Sequence, residues 1–341
     1  MSVLGLWTRD ALSGRMNPPA SLSLPARAAC KAAALAQGAL VLYALPQLLL
    51  RPRWAALVEA LGGPERANVL GMPLLHLAVL AGGNAFFALL YAARLPAIER
   101  HRSGGGGGGG GDGAPSPWHF SAAASPAQRA AFWARVPWAL ASTLLNVLLT
   151  APLAAGNYAL AVRLGHSADA ARFPSTPALL AQLAACIAAE DLLFYLGHRL
   201  LHSSALLYAR VHKFHHAWTQ TTSIAAEATH PVEFVLCNVV PFAAGPLLLG
   251  SHLATLYVWT VWRVLETVAH HSGYELPTSM FTLLPFQGDA GAHDLHHSRG
   301  GGISPASGNF GSFSKLWDRL FGTELAPRQE GGHIADAGKS E

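Results

Sequence analysis

The chain contains 341 residues, of which 51% are hydrophobic and only 12% are charged. This balance is typical of a protein solvated partly by lipid, and it predicts one membrane-embedded domain rather than two soluble ones. The formal net charge of +4 comes from Lys and Arg residues that are dispersed or flank apolar segments, which argues against a nucleic-acid partner. The three cysteines, Cys30, Cys186 and Cys237, show no paired spacing, which argues against a disulfide framework and a cysteine zinc site.

The N-terminal segment, residues 1–31, lacks the continuous apolar stretch of a cleaved secretory signal. Its Arg and Ser content, with the single acid Asp10, faintly resembles an organelle transit peptide, which is the less favoured interpretation. We expect this segment to be disordered.

Five apolar segments follow, and a bilayer crossing needs about 20 such residues. The last segment, 232–262, is too long for one crossing and contains Pro241, Gly245 and Pro246, so we predict a helical hairpin there. The fold is therefore predicted to be all-α, an integral membrane helical bundle of four to six spans. The segments are residues 32–50, 73–93, 137–161, 177–196 and 232–262.

Eight consecutive glycines, residues 104–111, separate the second and third apolar segments. Such a run holds no fixed backbone conformation and buries no apolar surface, so it predicts a flexible loop. It is not a phosphate-binding loop, because no Lys-Ser/Thr pair follows it and no predicted strand precedes it. The predicted organisation is N-terminal spans at 32–102, a Gly-rich loop at 103–117, a third span with its flanks at 118–176, a histidine-rich domain at 177–323 and a C-terminal tail at 324–341.

Histidines are concentrated in the second half of the chain, where 12 of the 17 lie between His198 and His297. Eight of them form the patterns HRLLH, HKFHH and HDLHH, in which residues three or four apart share one helix face. Neutral imidazole is the commonest protein ligand for transition metals, and two triads plus a pair can surround two ions. The predicted ligands are His198, His202, His212, His215, His216, His293, His296 and His297.

Asp191 and Tyr195 lie seven and three residues before His198, on the same helical stripe. We expect their side chains to accept the second ring N–H of a ligating histidine and to fix its tautomer. The isolated histidines are expected instead to be polar residues on solvated faces. They are His76, His101, His119, His166, His252 and His333.

Near the C-terminus, apolar residues recur from Phe310 to Phe321 at intervals of three or four, with charged residues on the opposite face. This pattern predicts an amphipathic helix that caps the histidine-rich domain or lies at the membrane interface.

Six motifs occur in order between residues 177 and 323: EDLLFYLGHRLLH, HKFHH, EATHPVEF, HHSGYELP, PFQGDAGAHDLHH and NFGSFSKLWDRLFGT. Their order and spacing resemble the membrane fatty acid hydroxylase and sterol desaturase superfamily. The His-Pro, HSGY and Pro-Phe elements are most similar to the C-4 methylsterol oxidases, with cholesterol 25-hydroxylases close behind. The link SRGGGISPASG after the last histidine box departs from the family pattern.

This resemblance implies a multi-pass protein of the endoplasmic reticulum membrane whose di-iron centre faces the cytosol; a plastid membrane is less favoured. It also implies dioxygen as co-substrate and electrons delivered from NAD(P)H through a cytochrome b5-type carrier and its reductase. By the resemblance, the two irons are held by the eight histidines of the boxes together with His271 of the HSGY segment and His230 of the His-Pro segment. His270 is not carried over and is expected to be a spare or supporting donor.

The ligand types alone leave iron, zinc and copper open. A structural zinc needs only four ligands, and a hydrolytic two-metal site would bring bridging carboxylates, whereas Asp294 is the only acid within the boxes. A nitrogen-rich site beside apolar spans favours redox activation of dioxygen towards an unreactive C–H bond of a lipid.

We therefore predict a membrane-bound di-iron monooxygenase that oxidises a C-4 methyl group of a sterol. One alternative is a hydroxylase or desaturase of another sterol position or of a fatty acyl chain. An alternative from another class is a histidine-rich metal-binding membrane protein or transporter. Transporter histidines are expected inside the spans, whereas these boxes follow span ends and include Arg199, Arg210 and Lys213 between them, which favours the enzyme.

Overall fold

The computed structural model describes residues 23–103, 125–284, 286–299 and 307–325. Within these ranges the chain is helical and forms no β-sheet, so the predicted all-α class is confirmed. The glycine run at 104–111, nearly all of the C-terminal tail and residues 1–22 lie outside the described residues, as do His119 and His333. The helices are α1 (Leu24–Ala60), α2 (Pro64–Ala93), α3 (Pro96–Glu99), α4 (Pro126–Arg163), α5 (Thr176–Ser203), α6 (Ala205–Arg210), α7 (Pro231–Leu249), α8 (Leu253–His270), α9 (Ala290–Arg299) and α10 (Leu316–Phe321).

Five helices of the described chain, α1, α2, α4, α5 and α7, are long and apolar enough to cross a membrane. Their outer faces carry large apolar side chains such as Leu74, Leu89 and Leu248, which are 60%, 69% and 83% exposed. A bilayer solvates such faces and leaves the backbone hydrogen bonds to be satisfied within each helix. The fold is thus a helical membrane bundle, and five spans lie within the predicted four to six.

Helix α1 is longer at both ends than its predicted apolar segment. It begins at Leu24 and continues past the predicted end at residue 50, through Arg51 and Arg53. Its middle, Leu40–Leu50, widens into π-helical turns around Pro46. Proline has no N–H to donate to the preceding turn, and the wider winding keeps the helix continuous there.

The predicted hairpin is present, but its turn lies later in the sequence than expected. Helix α7 continues through Pro241 and Pro246, and the chain turns at Gly250, whose φ of 54° suits glycine. Gly245 serves packing, because a Cβ there would meet the Cα of Cys186 on α5 at 2.7 Å. Gly245, which was expected to mark the turn together with the two prolines, therefore allows α7 to lie close against α5.

Helix α8 is the buried centre of the bundle. One side packs Trp259 and Trp262 into a cluster with residues of α1 and α5, and the other packs Val264 and Val268 against α2. Between these sides, the buried Arg263 pairs with Glu190 of α5 at 2.9 Å and with Glu266 at 2.8 Å. Paired charges offset much of their desolvation cost, so α8 can carry them inside the bundle. Its C-terminal end thereby reaches the end of α5, where the histidines gather.

Candidate metal centre

The first histidine pair lies on the last two turns of α5. His198 and His202 are both buried, and α5 ends directly after them at Ser203. The side chain of Ser204 then accepts from Leu207 N and starts the short helix α6, which turns the chain back. The 3₁₀ turn His212–Ala217 follows and brings the second histidine box against the first.

Five histidines form the first group, in which one ring nitrogen from each lies within 4.8 Å of the others. The Nε2 atom of His212 is 3.2 Å from that of His198, 2.8 Å from that of His202 and 3.0 Å from that of His216. The Nε2 atom of His296 completes the group at 3.1 Å from that of His216. We name these residues the α5 group: His198, His202, His212, His216 and His296.

Four histidines form the second group, which we name the α8 group: His215, His271, His293 and His297. The Nε2 atom of His271, at the C-terminal end of α8, is 3.4 Å from that of His215 and 2.8 Å from that of His293. The Nε2 atoms of His293 and His297 are 3.1 Å apart. The rings of His216 and His297 have centroids 4.8 Å apart, so the two groups are neighbours. Each HxxHH box contributes to both groups.

Backbone carbonyls fix the tautomers of several of these rings. A carbonyl oxygen only accepts, so the Nδ1 atom facing it carries the hydrogen and Nε2 keeps its lone pair. Four rings donate from Nδ1 to a backbone carbonyl oxygen: His198 to that of Phe310 at 2.9 Å, His271 to that of Thr267 at 2.8 Å, His296 to that of Gly308 at 2.7 Å and His297 to that of Trp218 at 2.9 Å.

A carboxyl group lies beside a further ring of the α5 group. Oε2 of the buried Glu233, on α7, lies 2.9 Å from Nδ1 of His212, but neither atom has a hydrogen-bond partner among the described residues.

The ring nitrogens cannot satisfy one another by hydrogen bonds alone. In the α5 group the Nε2 atoms of His202, His212 and His216 lie 2.8–3.2 Å from one another, so at least two of the three must present the same group, a hydrogen or a lone pair. In the α8 group the Nε2 atom of His293 lies 2.8 Å from that of His271 and 3.1 Å from that of His297, which both keep lone pairs, so it can donate to only one of them. A cation shared by the ring nitrogens removes these unpaired contacts, so the donor set fits a metal ion in each group.

Burial holds the ligand histidines neutral. It lowers the pKa of His215 to about 4. The pKa of His212, His216, His271, His293, His296 and His297 is lowered well below the usual value by burial and then by the neighbouring histidines. Only neutral imidazole can bind a metal, so the site is prepared for one at neutral pH.

His230 was predicted as a ligand and lies in neither group. It precedes α7, and its Nδ1 accepts from the backbone N–H of Val232 at 3.2 Å, which caps the helix. The structure thus brings together nine of the ten predicted ligands and assigns His230 a helix-capping contact instead.

Asp191 and Tyr195 were expected to support His198, but they contact the C-terminal segment instead. Asp191 accepts from the backbone N–H of Ser314 at 3.0 Å and from its hydroxyl at 2.5 Å. The Tyr195 hydroxyl lies 3.1 Å from that of Thr323. His198 turns its Nδ1 towards Phe310, so the two side chains position the segment that carries this carbonyl rather than the ring itself.

The C-terminal segment is a cap over the metal centre, but it is helical only in α10. Residues 308–311 lack helical structure, so the carbonyls of Gly308 and Phe310 are free of helix bonds and accept from histidines. The buried Asp318 holds this stretch by accepting from the N–H groups of Phe310 and Gly311 at 2.9 and 2.8 Å. A continuous helix over 310–321 would have engaged the Phe310 carbonyl in a helix hydrogen bond and removed it as an acceptor for His198.

Three of the isolated histidines are built into the bundle rather than placed on solvated faces. His76 lies 2.7 Å from a carboxylate oxygen of the buried Glu227. His166 donates from Nδ1 to the carbonyl of Ser251, and the buried His252 caps α8 through the N–H of Ala254. His270 likewise pairs with Glu266, at 2.6 Å, and joins neither metal group.

Comparison with known proteins identifies the class of domain that contains this site. Residues 183–323 match the model of the Fatty acid hydroxylase family, so the chain contains a fatty acid hydroxylase domain. The matched stretch includes both histidine groups and the C-terminal cap. The resemblance drawn from the six motifs is therefore confirmed.

Among the curated proteins, the chain is 40% identical over 156 residues to Methylsterol monooxygenase 2-2 of Arabidopsis thaliana, covering 46% of this chain and 57% of the relative. It is 36% identical over 173 residues to Methylsterol monooxygenase 1 of Danio rerio, covering 51% and 57%. It is 44% identical over 135 residues to Very-long-chain aldehyde decarbonylase GL1-8 of Oryza sativa subsp. indica, covering 40% and 48%. The alignments thus span about half the length of these relatives, and no solved structure matches the chain.

Proposed function

We propose that this protein is a membrane-bound, dioxygen-dependent di-iron monooxygenase that oxidises a C-4 methyl group of a sterol. The observation that carries the proposal is the division of nine histidines, eight of them buried and His293 half-buried, into two adjacent groups beside membrane-spanning helices. In this proposal the α5 group holds one iron and the α8 group holds the other. When bound, the two irons supply the redox chemistry that activates dioxygen towards an unreactive C–H bond.

The protein's own residues orient and isolate this site. The carbonyls of Phe310, Gly308, Thr267 and Trp218 fix the ring tautomers, and the carboxyl group of Glu233 lies beside Nδ1 of His212. The C-terminal cap covers the α5 group, which limits the access of water. No described side chain needs to serve as a separate acid or base in this account.

Sterol oxidation is the preferred activity because two of the relatives quoted above are named methylsterol monooxygenases. By the same analogy we propose the endoplasmic reticulum membrane as the location, with the metal centre facing the cytosol. Electrons would come from NAD(P)H through a reductase and a separate cytochrome b5-type carrier.

A second candidate is the conversion of a long-chain aldehyde. It is favoured by the 44% identity to a relative named as a very-long-chain aldehyde decarbonylase. The same metal centre could carry out either reaction, so the substrate cavity must determine whether a sterol or a long-chain aldehyde is bound. Hydroxylation or desaturation of another sterol position or of a fatty acyl chain is the remaining enzymatic alternative.

The deciding experiment is sterol profiling in a yeast strain that lacks its own C-4 methylsterol oxidase and expresses this chain. We expect the accumulated 4,4-dimethylsterols to fall and 4-desmethylsterols to appear. The matched control is His296→Ala, expressed at the same level, which should leave the accumulation unchanged. Unchanged sterols with the well-expressed wild-type protein, together with consumption of a supplied long-chain aldehyde, would favour the second candidate.

A further inference from the structure

A cavity of about 180 Å³ lies between α2, α4, α7 and α8. Along α4 it extends from Thr150 to Ala161, which is about 16 Å at 1.5 Å per residue. Along α7 it extends from Phe234 to Leu247, about 20 Å. Most of its wall is apolar, including Met72, Leu153, Phe242, Leu256 and Val264. Its length and apolar wall suit one end of an elongated, largely apolar molecule lying along the spans, because its volume is below the roughly 300–1,000 Å³ of pockets that enclose a whole drug-sized ligand.

One end of this cavity adjoins the metal centre. Its lining residue Glu227 precedes Ala228, whose backbone lies beside the His215 ring. Its lining residue Phe234 follows Glu233, which contacts His212. The cavity therefore ends close to both histidine groups, near His215 on one side and near His212 on the other. The opposite end lies near His166, in the loop after α4.

A polar pair lines the end that adjoins the metal centre. Nε2 of His76 lies 2.7 and 2.8 Å from the two carboxylate oxygens of Glu227, whose side chain is only 5% exposed. A carboxylate accepts, so Nε2 donates and Nδ1 keeps a lone pair. No described residue hydrogen-bonds to Nδ1. Glu227 thus holds the His76 ring in one tautomer, and its Nδ1 atom is an unused hydrogen-bond acceptor in an apolar cavity.

We propose that His76, oriented by Glu227, binds the hydroxyl group of the sterol substrate; this inference rests on the proposed function. In a sterol the hydroxyl is on C-3, directly beside C-4. An enzyme that oxidises a C-4 substituent must therefore hold that hydroxyl next to the reacting carbon, at the cavity end nearest the metal. His76 Nδ1 would accept from the hydroxyl while the apolar wall covers the adjoining ring. His76 is a specificity-determining residue in this account, and Glu227 positions it.

The pair of His76 and Glu227 lets the site distinguish a hydroxylated sterol from a molecule without the hydroxyl, which apolar contacts alone cannot do. A hydrogen bond to a carboxylate-supported group changes binding by on the order of ten- to a hundredfold. A 3-deoxy analogue leaves the half-buried His76 nitrogen without a partner and should bind correspondingly worse. A long-chain aldehyde has an acceptor but no hydroxyl donor, so it gains nothing from this nitrogen.

The test compares His76→Leu and the isosteric Glu227→Gln with the wild-type protein, using His101→Leu, a histidine outside the cavity, as the matched control. Binding of a tritiated 4,4-dimethylsterol to the purified metal-loaded protein is competed with the unlabelled sterol and with its 3-deoxy analogue. We expect the wild type and His101→Leu to prefer the hydroxylated competitor by about ten- to a hundredfold. His76→Leu and Glu227→Gln should lose most of that preference while keeping the wild-type metal content.

Binding and turnover separate the two proposals. If the protein binds the sterol and prefers it to the 3-deoxy analogue through His76, but does not oxidise it, the proposed function is contradicted and the role of His76 is supported. If the protein oxidises the sterol and both cavity variants keep the wild-type preference for the hydroxylated competitor, the proposed function is supported and the role of His76 is overturned. If His76→Leu fails to fold, Glu227→Gln decides by the same measurement, since it alters the carboxylate with little change of shape.

Discussion

His198 donates its Nδ1 hydrogen to the carbonyl oxygen of Phe310, which is 2.9 Å away and 112 residues later in the sequence. Together with the bond from His296 to Gly308, this contact makes the C-terminal segment part of the metal centre. The chain thus completes its metal site only when residues near its C-terminus return to the end of α5. Contacts that hold the segment should therefore control metal binding.

Asp191→Ala tests this dependence. The substitution removes both acceptors of Ser314, and hydrogen bonds to a charged group are worth about 1.5–3 kcal/mol each. We expect a lower unfolding temperature and a metal affinity reduced by roughly ten- to a hundredfold. Thermal unfolding and metal content after chelator treatment measure the two effects. Glu65→Ala, at an exposed acid of α2, is the control; equal behaviour of the two variants would remove the role given to Asp191.

Glu233→Gln should weaken metal binding in the α5 group more than in the α8 group. Glu233 contacts His212 of the α5 group and no member of the α8 group among the described contacts. Replacing the carboxyl group with an amide changes its contact with the ring, and losses of about ten- to a hundredfold in metal affinity are typical when a group beside a ligand is altered. We expect one metal ion to leave at a lower chelator concentration than the other. Simultaneous loss of both ions would show that the groups are not independently supported.

The low pKa of the buried histidines predicts loss of stability on acidification. An unfolded histidine has a pKa of about 6.5, whereas burial lowers that of His215 to about 4. Between these values the unfolded chain binds more protons than the folded one, so the free energy of unfolding falls as pH falls. His215 alone contributes about 3 kcal/mol to this loss.

The measurement is the unfolding temperature of the metal-free protein in detergent between pH 8 and pH 4. We expect it to be nearly constant above about pH 7 and to drop steeply between about pH 6.5 and 4. Metal content should fall over a similar range, because protons compete for the ring nitrogens. An unfolding temperature that rises on acidification through this range would contradict the sign of the pKa shifts.

Two glycines give a contrasting test of packing. A Cβ on Gly245 would meet the Cα of Cys186 at 2.7 Å, whereas one on Gly82 meets nothing within 4 Å. Gly245→Ala should therefore destabilise the α5–α7 contact by about 1–3 kcal/mol. Gly82→Ala should be neutral or stabilise α2 by up to about 1 kcal/mol. Unfolding temperatures in one detergent compare them, and equal shifts would show that the close approach at Gly245 is not tight.

The sequence alone was sufficient for the features that depend on local spacing. Helical periodicity places His198 and His202 on one face, and length and hydropathy identify the spans. The supports of the rings were not predictable in this way, because most of them are backbone carbonyls and have no residue signature. Asp191 was correctly placed on the stripe of His198, but spacing could not show that Ser314 would occupy its carboxylate.

His76 and Glu227 illustrate the same limit over a longer range. They lie 151 residues apart, and neither belongs to a histidine box. Only the packing of α2 against the segment before α7 brings them together. The sequence does contain one indication of the pair, because His76 lies within the apolar segment 73–93, where a polar side chain is costly in lipid and needs a partner.

The central claim is that the two histidine groups hold two irons, and elemental analysis of the purified, active protein tests it most directly. We expect about two iron atoms per chain, with His296→Ala in the α5 group and His215→Ala in the α8 group each losing about one and abolishing turnover. One metal atom or none per chain in active protein, or full activity with zinc alone, would contradict the account.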